Sequence, residues 1–284
     1  MRLSMQDHPE LERQGNRTRG SHMLDDLAHY NRERWEALAR ANVEYSRPML
    51  DLDPDQAGQL VDPEGVAGDM DGKRVLCLAG GGGQQSAAFA LLGARVTVLD
   101  LCDTQLQRDR EAAAHYGTEV RTIQGDMRDL SALVADCFDI VWHAHSLNFV
   151  PDPNQVFGEV CRVLRPGGLY RLTCTNPFIH GTWEGSWDGN GYALNRPYVD
   201  GEVLDDDPYW EFDDGDGACH RIRGPREFRH TLSALINGLI RNGLTILGFW
   251  EDCKGDANAA PGSWQHFKTV CAPWIILWAL RPSP

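Results

Sequence analysis

The chain is short of positive charge. Its 284 residues carry 27 Lys and Arg against 41 Asp and Glu, a formal net charge of -14 at pH 7. A protein that holds nucleic acid exposes a basic surface that displaces condensed counterions, so this balance argues against DNA or RNA as a partner. An anionic membrane surface is disfavoured for the same reason. No apolar stretch reaches the roughly 20 residues of a helical membrane span. The eight cysteines include no C-x-x-C pair, so no metal site is expected. There is no internal repeat and no secretory signal at the start, and the expected location is a reducing cytoplasm.

What is present is an ordered alternation of short apolar runs and helical segments. Residues 1–22 are polar without periodicity, and Gly20-Ser21-His22-Met23 resembles a tag scar. This leader is expected to be a tag or a disordered tail. Residues 23–72 read as a helical cap and linker. Leu27, Tyr30, Arg34 and Leu38 recur at helical spacing between Leu24 and Tyr45, and Pro48 ends the pattern. The acidic stretch 51–71 is expected to be a linker with at most a short helix.

Residues 73–284 read as the main domain. Arg74–Ala79, Arg95–Asp100, Glu119–Gln124, Phe138–His143 and Leu169–Thr175 are strand-like. Helices are expected over Gln84–Leu92, from Asp103 as N-cap to about Tyr116, and over Asn154–Leu164. Such alternation argues for a parallel sheet covered on both faces. Residues 178–224 break the pattern and are too long for an ordinary connection, as functional insertions are. A helix over Glu227–Asn242 and strands at Leu244–Trp250 and Trp274–Leu280 complete the chain, with a loop from Glu251 to Pro273.

Four consecutive glycines, Gly80 to Gly83, follow the first strand and precede a helix. Glycine permits a tight turn and close ligand approach, and the helix N-terminus offers free N–H groups. Open α/β sheets bind nucleotide-like ligands at such a place. Asp100 ends the second strand about 20 positions later, where a carboxylate accepts from both hydroxyls of a ribose. A helix cap or solvated strand end is the alternative. Asp126 and Met127 follow the third strand; the acid can accept from an adenine amino group while Met127 packs on the ring. A plain turn aspartate fits the same residues.

Together these segments resemble the class I S-adenosylmethionine-dependent methyltransferases, most closely the bacterial small-molecule enzymes. Val75-Leu76-Cys77-Leu78-Ala79-Gly80-Gly81-Gly82-Gly83 is similar to that family's first motif, and Val98-Leu99-Asp100 to its second. Gly125-Asp126-Met127 resembles the adenine-contacting segment. Phe138-Asp139-Ile140-Val141 and Cys161–Gly168 resemble the fourth strand and the turn before the fifth. The likeness covers roughly residues 73–176. It implies a Rossmann-like α/β fold of seven mostly parallel strands with helices on both faces and the last strand antiparallel, plus an N-terminal helix and a lid insertion. It also implies S-adenosyl-L-methionine as cofactor, held by Ala79, Gly80, Gly81, Gly83, Gln85, Asp100, Leu101, Asp126, Met127 and His143. Two positions depart from the pattern: Cys77 stands where the family has an acid, and Ala79 where it has glycine. The backbone carbonyls of Ala79 and Gly80 remain able to accept from the cofactor's ammonium.

The partner implied is a small-molecule methyl acceptor. Three segments are expected to surround it: His143–Phe149, the insertion after Asn176, and the N-terminal helix with Tyr30, Asn31 and Trp35. His143 and His145 are general-base candidates because imidazole titrates near neutrality, with Tyr30 beside them as a third catalytic candidate. Methyl transfer needs alignment and exclusion of water more than a fixed catalyst. The aromatics of the insertion, among them Trp183, Trp187, Tyr192, Tyr198, Tyr209, Trp210 and Phe212, offer cation–π capacity for an amine acceptor. Its acids, Asp200, Glu202, Asp205, Asp206, Asp207, Asp213, Asp214 and Asp216, are mostly expected to form a solvated face. Two other functions share the strand–glycine–helix logic: a nicotinamide-dependent oxidoreductase, for which the G-x-G-x-x-G spacing is missing, and a non-catalytic methyltransferase-like binding module.

Overall fold

The computed structural model describes residues 24–204, 209–213 and 219–283. The leader 1–22 and the lid acids Asp205, Asp206, Asp207, Asp214 and Asp216 lie outside the described residues. In chain order the first elements are α1 (Asp26–Arg40), α2 (Pro54–Val61), β1 (Arg74–Leu78), α3 (Gln85–Leu91), β2 (Arg95–Asp100), α4 (Asp103–His115), β3 (Val120–Gln124) and β4 (Phe138–Ala144). There follow α5 (Pro153–Val163), β5 (Leu164–Thr175), β6 (Tyr209–Asp213), β7 (Cys219–Arg223), α6 (Leu232–Arg241), β8 (Thr245–Asp252), α7 (Trp264–Val270) and β9 (Trp274–Leu280).

Seven strands form one sheet in the order β3-β2-β1-β4-β5-β9-β8, with β6 and β7 a separate hairpin. β1 to β5 pair in parallel, and β9 runs antiparallel between β5 and β8. This is the seven-stranded, mostly parallel sheet that the sequence motifs imply. The strands are apolar on both faces because helices cover both. Val75 and Cys77 of β1 pack with Ala57 and Val61 of α2 and Phe89 of α3. Leu76 and Leu78, one residue out of phase, pack with Val156, Phe157 and Val160 of α5 and Leu235 and Leu239 of α6. The chain order reverses across β1, between β2 and β4, which opens a crevice at the carboxyl ends of the strands.

Several boundaries differ from the sequence expectation, each for a local reason. Asp103 does not cap α4. Its first N–H groups are taken by Glu36 of α1, which accepts from the Asp103 amide at 2.8 Å and the Thr104 amide at 3.4 Å. α6 starts at Leu232 rather than Glu227, because Thr231 accepts from the Ala234 amide and Phe228 pairs with Val203. β5 begins at Leu164, ahead of the Pro166-Gly167-Gly168 turn, since Leu164 pairs with Phe138 before the register shifts. The expected loop from Glu251 to Pro273 holds α7, capped by Ser263. The insertion supplies a β-hairpin where no periodicity is legible.

One buried ion pair ties the linker to the far side of the sheet. Glu64 accepts from Arg171 Nε at 3.2 Å and from the Trp278 indole at 3.0 Å. The Arg171 and Glu64 side chains are 7% and 9% exposed, and the guanidinium lies 5.0 Å from the Trp142 ring. Glu64→Ala leaves that guanidinium buried without its carboxylate, and breaking such a pair costs about 3–5 kcal/mol. Urea unfolding is therefore expected to show a loss of about that size. A change under about 1 kcal/mol would mean that water reaches Arg171.

Candidate active site

A cavity of about 530 Å³ opens at the carboxyl ends of β1, β2 and β4, beneath α1 and the β6–β7 hairpin. Its floor is the glycine turn. A side chain at Gly80 would place its Cβ 2.8 Å from Val98, and Gly81 takes φ of 80°, a conformation glycine enters freely. Ala79 adopts φ of 50°, the same left-handed region, and its amide donates to the Leu99 carbonyl at 2.7 Å.

The turn is gripped from α4. Asp109 accepts from the Gly83 amide at 2.7 Å and from the Ser86 hydroxyl at 2.5 Å. Its other oxygen is buried without a hydrogen-bond partner. Burial pushes its carboxyl up to about 7, against the pull of the Ser86 and Gly83 donors. Asp109 also acts on Cys77: burial first, then the Asp109 charge, holds that thiol well above its ordinary range. A carboxylate thus stands by the turn despite the missing acid on the first strand, brought in by α4 instead.

Asp100 closes the next strand. Its Oδ1 accepts from the Cys102 amide at 2.8 Å, and its Oδ2 lies 3.5 Å from the Gly81 amide. Burial pushes its carboxyl up to about 6. Asp126 is bound by Arg128 at 2.6 Å, and the same guanidinium holds Asp25, the N-cap of α1, at 2.8 Å. Leu101, Met127 and Gln85 line the cavity with them. Three buried polar atoms on the cavity wall have no hydrogen-bond partner: Gln85 Oε1, Gln105 Oε1 and Ser146 Oγ. Leaving such groups without a partner is costly.

Part of the lining is aromatic. Trp35, Tyr45, Phe149 and Trp210 meet edge to face or tilted, with Trp35 centred 5.2 Å from Phe149 and 5.8 Å from Trp210. His145 also lines the cavity, its ring 4.4 Å from Trp274. It sits at φ of 54°, and its amide donates to the Thr173 carbonyl at 2.7 Å. Desolvation by the surrounding protein, with the Arg171 charge secondary, lowers its imidazole, although the residue itself is exposed. Asn31 joins the walls: it donates to the Phe149 carbonyl at 3.1 Å and accepts from the Arg226 amide at 2.9 Å.

The structure therefore brings Ala79, Gly80, Gly81, Gln85, Asp100, Leu101, Asp126, Met127 and His145 to one cavity. It does not bring three other expected residues there. His143 is fully buried beside the sheet, its Nδ1 2.8 Å from the Tyr170 hydroxyl, and burial lowers its imidazole to about 3. Being in a strand whose side chains alternate, it faces the opposite way from Trp142 and into the core. Tyr30 lies between the guanidinium groups of Arg34 and Arg226, at 5.0 and 4.7 Å, outside the cavity wall. Gly83 is turned toward α4, where a Cβ would come 2.8 Å from the Arg108 carbonyl. Sequence reasoning passed over Gln105, Asp109 and Glu227. Asp109 did carry a signal, a charge on the buried stripe Leu106, Asp109, Ala112, Ala113. Glu227 carried none, since its segment is irregular.

Known proteins resemble this chain in sequence and in fold. The family model described as a methyltransferase domain matches residues 76–172. An uncharacterized methyltransferase of Bacillus subtilis, YbaJ, is 34% identical over 187 residues, covering 65% of this chain and 70% of that protein. The ubiquinone biosynthesis O-methyltransferase of Bordetella avium is 36% identical over 39% of this chain and 46% of its own length. The chain thus spans about half the length of the ubiquinone-biosynthesis relative. Among solved structures, an S-adenosylmethionine dependent methyltransferase from Mesorhizobium loti superposes with a TM-score of 0.60 at 22% identity, covering 82% of this chain and 100% of that one. One from Clostridium acetobutylicum gives 0.56 at 17% identity, covering 82% and 94%. At these identities the structural likeness concerns the fold.

The Asp109 grip has a pH signature. From its ordinary 3.8 up to about 7 the folded chain keeps a proton that the unfolded chain has released. Within that window each rise in pH lowers stability, and above about 7 the full cost is present. Asp109→Asn keeps one acceptor for Gly83 and Ser86 and removes the charge. Its stability relative to the wild type is expected to improve from pH 5 to pH 8 in thermal unfolding without ligand. A difference independent of pH would show that Asp109 is ionised throughout.

Proposed function

The chain belongs to the class I S-adenosylmethionine-dependent methyltransferases, and we propose that it methylates a small-molecule acceptor held between the glycine turn, α1 and the insertion 178–224. The observation that carries this is the lining of one cavity, which combines the glycine turn, Asp100 and Asp126 with the aromatic rings Trp35 of α1 and Trp210 of the hairpin. Its volume of about 530 Å³ suits a small ligand.

The residues present fit the donor. The Gln85 and Gln105 carbonyl oxygens would accept from an ammonium, and the Ser146 hydroxyl would donate to its carboxylate end. Asp100 would accept from the ribose hydroxyls, in addition to its backbone donors. Met127 and Leu101 would flank the adenine, and Asp126 would accept from its amino group. Gly80 and Gly81 would allow the backbone to approach closely. When bound, S-adenosylmethionine supplies a methyl carbon made electrophilic by its sulfonium.

The rest of the work is positioning. α1 is pinned at three places, by Glu36 to α4, by Asp25 to Arg128 and by Asn31 to Phe149, which fixes that wall of the cavity. Alignment of donor and acceptor is the main contribution an enzyme makes to a displacement of this kind. His145 is the one imidazole on the wall among the described residues, and it can accept or donate a hydrogen bond there. The ubiquinone-biosynthesis relative is an O-methyltransferase by name; the shared region is under half of either chain and does not carry its acceptor across. The free thiols support a reducing, cytoplasmic setting.

Asp100→Ala tests the donor site. Losing two charge-assisted hydrogen bonds is expected to weaken S-adenosylhomocysteine by about 2–4 kcal/mol in calorimetry, with the fold intact. Unchanged affinity in a folded variant would remove Asp100 from the site. Response to NAD(H) with none to S-adenosylhomocysteine would overturn the whole reading.

A further inference from the structure

The cavity lining contains a carboxylate whose charge the methyl-transfer reading does not use. Glu227 lines the cavity and lies in the segment that leaves the hairpin. That segment is fixed on both sides. The Arg226 amide donates to Asn31 of α1 at 2.9 Å, and the Phe228 amide donates to the Asn148 carbonyl at 2.7 Å. His180 Nε2 holds one Glu227 oxygen at 3.0 Å. The carboxylate therefore has a fixed place beside the rings, and its charge is felt at Tyr45, whose hydroxyl is raised first by burial and then by Glu227.

The rings themselves are free of cations. Among the described residues, guanidinium groups stack on Tyr30, Trp142, Trp278 and Tyr209, and none on Trp35, Tyr45, Phe149 or Trp210. The one cation on the cavity wall among the described residues is Arg128, and Asp25 and Asp126 already occupy it. An anionic acceptor would find no available positive partner there, and Glu227 would repel it. A neutral apolar acceptor would suit the rings but leave the carboxylate desolvated. A cationic group satisfies both, through the ring faces and through the charge.

We propose that the acceptor carries a cationic nitrogen group, seated among Trp35, Tyr45, Phe149 and Trp210 with Glu227 as its counter-charge. This deepens the methyl-transfer reading and rests on it for the word acceptor. A nitrogen that stays cationic has no lone pair, so for such an acceptor the atom that takes the methyl is a different atom of the same molecule. Glu227 is a binding and specificity residue in this proposal, with no part in moving a proton.

The test uses the full chain saturated with S-adenosylhomocysteine and two probes of equal shape, choline and its uncharged carbon isostere 3,3-dimethylbutan-1-ol. Binding is read from tryptophan fluorescence, to which Trp35 and Trp210 contribute. Choline is expected to bind at least about 10-fold more tightly than the isostere. Glu227→Gln keeps the shape and a hydrogen bond to His180, and is expected to reduce that preference to about 2-fold or less without moving S-adenosylhomocysteine affinity. Trp210→Leu should weaken choline more than the isostere. Equal binding of the two probes to the wild type, or a preference that survives both substitutions, overturns the proposal. Failure of S-adenosylhomocysteine to bind the wild type strikes the methyl-transfer reading instead, and choline titrated alone still reports on the cation site.

Discussion

A single buried carboxylate holds the ligand edge of this sheet together. Asp109 reaches from α4 to the amide of Gly83 and the hydroxyl of Ser86, so the turn, the start of α3 and the face of α4 move as one body. Four glycines in a row have little conformational preference of their own, and without an external grip the turn would sample many shapes. The grip has a cost, since one oxygen of Asp109 is buried bare. Active sites commonly hold such unfavourable electrostatics, because rigidity at the ligand is worth more there than stability.

Around that anchor the roof is built from long-range contacts between small polar groups. Glu36 completes the amino end of α4, which has no side-chain cap of its own, and so makes the docking of α1 a condition for a well-formed α4. Arg128 joins the N-cap of α1 to the carboxylate after β3. Glu64 and Arg171 do the same for the linker and the middle of the sheet. Cap and sheet are thus one folding unit, although the sequence separates them by an acidic linker.

How much of this was legible in the sequence depends on the range of the interaction. The central strands and the turn were readable from local chemistry, because apolar runs bounded by glycine and ended by an acid leave few alternatives. The order of motifs, more than any one of them, implied the seven-stranded sheet. What was not legible arises across the fold. α4 is capped from 67 residues away by Glu36. His143 and His145 look equivalent on paper, yet strand alternation sends one into the core, while a left-handed residue aims the other at the cavity. Glu227 sits in an irregular segment whose position is set by Asn31 and Asn148, neither of which has any sequence relation to it.

The backbone at Ala79 bears on how the sequence can drift. Its φ of 50° lies where an L-residue crowds its own carbonyl, by roughly 1–2 kcal/mol. Alanine is the smallest side chain that can stand there at all. The residues that enter this conformation most readily are glycine, asparagine, aspartate and histidine, as His145 does in this chain. Valine, isoleucine and threonine are barred by the main chain before any ligand is considered. The mutational neighbourhood of this position is therefore nearly closed, and its one strain-relieving exit is glycine. A chain that carries alanine there has kept a tensioned joint in the floor of its binding cavity.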